Sequence, residues 1–133
     1  MNQNFDEIII NLPKKAEYVG FIRLAVSGLV SRIGFDIDTV EDIKVVVSEI
    51  CTRIVSSGCD SGRYYDVRFK LFDEGFQAFF KVPNCLAGNL FEGDSGDFAK
   101  AIISSLTDEF SITCNDDDCI ITIGKNLGDS ING

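Results

Sequence analysis

"DIDTVEDIKVVVSEICTRIVSSG", residues 36–58, places apolar side chains at Val40, Ile43, Val47, Ile50 and Ile54. That spacing belongs to one face of a helix, not to the two-residue alternation of a strand. Asp38, with Glu41 three residues on, gives a capping-box-like start with Asp in place of the usual Ser or Thr, and Gly58 marks the end. Glu49 and Arg53 stand one turn apart on the side away from the apolar stripe. Working outward, "KKAEYVGFIRLAVSGLVSRIGF" (14–35) repeats the helical spacing at Val19, Ile22, Val26, Leu29, Val30 and Ile33, with Gly34 as C-cap. The link between these helices is short, so they are expected to pack as neighbours. Ahead of them, "DEIIINLP" (6–13) reads as a strand closed by Pro13.

Downstream, "YYDVRFKLFDEGFQAFFKVP" (64–83) reads as two alternating strands around the turn Asp73–Gly75. "NCLAGNLFEGDSG" (84–96) is loop-like. "DFAKAIISSLTD" (97–108) reads as a shorter helix burying Phe98, Ile102, Ile103 and Leu106, and "FSITCNDDDCIITIG" (110–124) as a second hairpin turning at "NDDD". The order strand, two helices, hairpin, loop, helix, hairpin lacks the regular alternation of a doubly wound fold. It predicts an α+β two-layer sandwich, with about three helices on one face of a mainly antiparallel sheet. A single domain over 1–124 and a frayed polar tail over 125–133 follow.

The composition narrows the function. Twelve basic and 21 acidic residues give a net charge of −9, which argues against a nucleic-acid surface. No apolar run reaches the length of a membrane span, and "MNQNFDEIIINLPKK" lacks the basic start of a signal peptide. The five cysteines, at 51, 59, 85, 114 and 119, are odd in number and form no CxxC pair, which points to reduced thiols in a cytoplasmic protein. Cys114 and Cys119 flank "NDDD" and could face each other across a hairpin. The chain has no histidine, which removes Ser/His and Cys/His catalysis and weighs against a zinc centre, so no metal site is expected.

"LPKKAEYVGFIRLAVSGLVSRIGFDIDTVEDIKVVVSEICT" (12–52), and within it "EYVGFIRLAVSG" and "DIKVVVSE", resembles the N-terminal half of the RsbW/SpoIIAB-type anti-sigma factors. These are serine-protein kinases of the GHKL, or histidine-kinase-like ATPase, superfamily. The resemblance implies that fold, binding of ATP and Mg²⁺, a sigma factor as partner and an anti-anti-sigma (STAS) protein as substrate. It also implies three nucleotide boxes, each altered here. In the first, Glu-x-x-x-Asn, Glu49 keeps the general-base position, but Arg53 replaces the metal-ligating Asn and has no lone pair to give a metal. In the second, Asp-x-Gly, Asn84 takes the Asp position and Leu86 the Gly position, where a branched side chain fills space that glycine leaves to the base. In the third, a glycine-rich phosphate turn, only Gly96 matches. Asp94 and Asp97 add negative charge there, partly offset by Lys100. The stretch from Asn84 to Gly96 is also shorter than the family's ATP lid.

The resemblance therefore implies a degenerate member. Glu49 is a vestigial base; Arg53, Asn84, Leu86, Gly96 and Lys100 line a damaged nucleotide site, and no cofactor is expected. Arg23 matches an arginine with which the family contacts its partners, and a homodimer is expected through the same region. The alternative is an active ATP- and Mg²⁺-dependent serine-protein kinase with an atypical site, in which Arg53 holds phosphate directly. A third reading gives the pocket to a smaller anion drawn by Arg53 and Lys100.

Overall fold

A computed structural model describes residues 4–57, 63–83 and 90–128. The elements are β1 (Asp6–Pro13), a 3₁₀ turn (Ala16–Tyr18), α1 (Val19–Ile33), α2 (Ile37–Ser56), β2 (Tyr64–Phe72), β3 (Gly75–Pro83), α3 (Gly93–Leu106), β4 (Glu109–Cys114) and β5 (Asp118–Asn126). The five strands form one antiparallel sheet in the order β1-β2-β3-β5-β4. Alternation along each strand sends Val67, Phe69, Phe76, Ala78, Phe80, Ile121 and Ile123 to one face, where they are buried. That face meets Ile22, Val26 and Val30 of α1, Ile43, Val47, Ile50 and Ile54 of α2, and Ile103 of α3. The two-layer α+β sandwich expected from the element order is the fold observed.

Several local expectations are corrected. The first helix proper begins at Val19, after the 3₁₀ turn. The cap of α2 is Asp36, not Asp38: its carboxylate accepts from the Thr39 N–H at 2.8 Å. Backbone and side-chain bonds from Thr39 hold the Asp36 carboxyl below its usual range. The last helix starts at Gly93, four residues before the sequence pattern suggested, and so includes most of the expected loop glycines. Phe98 is 69% exposed, and Gly96 and Ala99 join Ile103 on the buried side. Residues 125 and 126 belong to β5 rather than to a tail. Leu127 packs on the core and donates its N–H to the Glu74 carbonyl at 2.8 Å.

The cysteine reading is corrected as well. Cys114 and Cys119 are the final register pair of the β4–β5 hairpin and form a disulfide, with Cα atoms 4.0 Å apart. Cys51 is a buried free thiol; burial pushes it up to about 12, so it is no nucleophile at neutral pH. Cys59, Cys85 and Gly58 lie outside the described residues.

Candidate functional site

The helical spacing of α2 sets Glu49 and Arg53 side by side, and Arg53 Nε donates to Glu49 Oε2 at 2.8 Å. The pair is partly buried although it lies away from the apolar stripe. Only 18% of the Arg53 side chain is exposed, because its guanidinium reaches the chain entering α3. One terminal nitrogen donates to the Leu90 carbonyl at 2.9 Å. The other donates to the Ser95 carbonyl at 2.8 Å and to Ser95 Oγ at 3.0 Å. The guanidinium carbon also lies 5.6 Å from the centre of the Phe91 ring. These contacts employ four of the five N–H donors of the side chain.

Gly96 sits in the first turn of α3, but its service is to packing. A Cβ there would collide with the backbone of Phe91, so the buried Leu90–Phe91 segment can cross the helix start only over a glycine. Asp94, in the same turn, complements the positive end of the helix dipole. Beside the clamp, Glu49, Thr52, Arg53, Ser56, Ser57 and Leu90 line an open cavity of about 300 Å³. That is the lower end of the size range for small-molecule sites.

The structure thus brings Glu49, Arg53 and the Gly96 turn together. Lys100 is exposed on α3 and is absent from the cavity lining, so the pairing of Arg53 and Lys100 around a small anion is not formed. Asn84 and Leu86 lie outside the described residues. Arg23 is half-buried on α1, beside Leu24 at 72% exposure and Phe21 at 53%. Gly20, Leu24 and Gly28 fall four residues apart on one helix face, and a Cβ added at either glycine would meet nothing among the described residues. Sequence reasoning missed Leu90, Phe91 and Ser95. The only signal for Ser95 was its place inside "EGDSG".

Residues 12–125 match the histidine kinase-like ATPase domain, which takes in the sandwich apart from most of β1. The chain belongs to that family. Within it, the chain is similar to the serine-protein kinase RsbW of Bacillus subtilis (strain 168), at 37% identity over 100 residues, covering 74% of this chain and 57% of that protein. It is also similar to the RsbW of Halalkalibacterium halodurans, at 39% over 69 residues, covering 52% of this chain and 43% of that protein. The RsbW of Bacillus thuringiensis (strain Al Hakam) is 47% identical over 55 residues, 41% of this chain and 34% of that protein. The chain therefore spans between a third and three-fifths of the length of these curated relatives. The crystal structure of the RsbU and RsbW domains of Rv1364c from Mycobacterium tuberculosis superposes with a TM-score of 0.69 over 91% of this chain and 32% of that one. At 17% identity, this likeness speaks for the fold of the histidine kinase-like ATPase domain. No helix among the described residues is long and apolar enough to cross a membrane.

Proposed function

We propose that this histidine kinase-like ATPase domain is an anti-sigma-factor-like binding module of the cytoplasm that has given up ATP binding and kinase activity. Its partner is a sigma factor or an anti-anti-sigma STAS protein, met through α1. One observation supports the reading: Arg53, which the resemblance sets at the position of the metal-ligating Asn, has four of its five donors on Glu49, Leu90 and Ser95. A magnesium–nucleotide group fits these residues poorly. The guanidinium offers a metal no lone pair and sets a like charge against it. For Arg53 to hold phosphate through more than its one remaining N–H, it would have to release a partner it already has.

The α1 surface supports the binding half of the proposal. Leu24 and Phe21 remain exposed although the core has apolar positions in plenty. Gly20 and Gly28 flatten the helix around Leu24 at a cost of roughly 1 kcal/mol each in helix propensity. Among the described residues, nothing lies within reach of a Cβ at either glycine. A flat apolar strip edged by Arg23 suits a protein partner, and a second copy of the domain could use the same strip.

The active-kinase reading is favoured by the retained Glu49 and by the names of the RsbW relatives. Thermal unfolding with and without magnesium-ATP separates the two. A ligand at 100 times its dissociation constant adds about 2.7 kcal/mol, several degrees in Tm for a domain of this size. The expected result is no shift, and no phosphate transfer to a co-expressed STAS protein. A clear rise in Tm would end the non-catalytic reading. For the partner, co-purification with a sigma factor or STAS protein of the same organism should be lost in Leu24→Asp and Arg23→Ala. Unchanged retention would remove α1 as the interface.

A further inference from the structure

We propose that the Cys114–Cys119 disulfide is a reversible thiol–disulfide switch that fastens the outer end of the sheet's edge strand. The regulatory meaning rests on the cytoplasmic reading above, since cytosolic disulfides are commonly transient or redox-sensing rather than structural. The chemistry rests on geometry alone. The two residues are directly paired at the tip of β4–β5; Cys114 is exposed and Cys119 is fully buried. Exchange needs a thiolate to reach one sulfur, and Cys114 presents it while Cys119 is the leaving group.

The step balances with a dithiol as reductant. One thiolate of the dithiol bonds to the Cys114 sulfur, the Cys114–Cys119 bond breaks, and the Cys119 thiolate takes up a proton. The second thiol of the reductant, as its thiolate, then attacks the reductant sulfur in the mixed disulfide. That step releases Cys114, which is protonated in turn, and leaves the reductant as a cyclic disulfide. The protein gains two electrons and two protons. A disulfide oxidant, such as oxidised glutathione, runs the exchange backwards.

The hairpin is built so that this exchange stays local. Asn115 Oδ1 accepts from the N–H groups of Asp117 and Asp118, and the Asn115 N–H donates to the Asp118 carbonyl at 2.9 Å. The turn therefore keeps its own bonds when the sulfurs part. At the other end of β4, Glu109 accepts from Gln77, and Asp108 accepts from the Asn126 N–H. Between these anchors Ile112, Thr113 and Cys114 are exposed at the sheet edge, and the disulfide is the covalent tie on this end. Cys119 pairs with Val82 and Asp118 with Pro83, so loosening the tip also reaches the end of β3. Asp116, Asp117 and Asp118 lie in the short segment between the two cysteines, with Lys81 3.7 Å from Asp118. Their net negative field should favour cationic or neutral thiols over anionic ones.

Differential alkylation with peptide mass spectrometry, together with hydrogen exchange on the native full chain, tests the proposal. In excess dithiothreitol, Cys114 and Cys119 should become alkylatable without global unfolding. Amides 112–120 should then exchange about ten-fold faster or more, and oxidised glutathione should restore both states. Cysteamine should open the bond several-fold faster than mercaptoethanesulfonate at low salt, with the gap closing at high salt. Cys114→Ser should match the reduced protein in its exchange pattern; the titration of the unaltered chain keeps the test valid if that variant does not fold. A bond that survives dithiothreitol until the protein unfolds is a structural staple and overturns the proposal. So does a pair that stays reduced in oxidised glutathione, or exchange that leaves amides 112–120 unchanged. Cell fractionation tests the cytoplasmic reading separately, and its outcome leaves these in vitro results as they are.

Discussion

On α1, Arg23 stands half-buried next to an exposed Leu24 and Phe21, with glycines a turn to either side. On α2, Arg53 is folded against its own chain, bonded to a carboxylate, two carbonyls and a hydroxyl. The helices pack on the same sheet and on each other, so the contrast is not one of core against surface. It lies in what the polar face has left to offer. A side chain with four of its five donors in use has one left for a ligand, and can give more only by breaking bonds of similar strength. A strip of exposed apolar area gains by being covered. The comparison separates an internal clamp from an external surface, within one helical layer.

The largest expected effect tests that separation directly. Arg53→Ala should lower stability by about 2–3 kcal/mol, since it strands the part-buried Leu90 carbonyl and takes the partner from Glu49. Arg23→Ala should stay within ~0.5 kcal/mol, as for an ordinary surface position. Chemical denaturation midpoints decide, and equal losses would erase the distinction. Next come the glycines. Gly96→Ala should cost about 1–3 kcal/mol, because the new methyl meets the Phe91 backbone. Gly28→Ala, with open space around it, should stabilise by about 0.5–1 kcal/mol while weakening partner retention. The smallest effect is at the junction of the two helices. The Asp36 carboxyl is held below its usual range in the folded chain, so its contribution is in place above the ordinary carboxylate range, near pH 4. It is lost as pH falls through the lowered value. Acid denaturation of Asp36→Asn should therefore have a shallower limb than that of the parent protein, and identical limbs would remove the cap from the pH profile.

Much of this was legible in the residues. The stripe Val40, Ile43, Val47, Ile50 and Ile54 places α2 correctly because a buried helix face must repeat every three or four positions. The strand turns were equally plain. The start of α3 was not, because "FEGDSG" is rich in residues that serve both loops and first helical turns. Phe98 was misread for the same reason: moving the helix start changes which residues complete the inner face, and Gly96 and Ala99 do so with little side chain. For the site, Glu49 and Arg53 could be paired from spacing alone. The carbonyls that receive Arg53 come from 37 and 42 residues downstream, and backbone acceptors leave no mark in residue type.

One consequence lies in the strand order. The last strand in sequence, β5, is laid between β3 and β4, and its ladder with β3 runs over nine residue pairs, Gly75 with Asn126 through Pro83 with Asp118. During synthesis, the first three strands and two helices emerge with the inner edge of β3 still bare. The nascent chain must hold that apolar edge unpaired until almost the whole domain has left the ribosome. Truncation before Asp118, which removes β5, should therefore leave an aggregating fragment rather than a smaller folded domain.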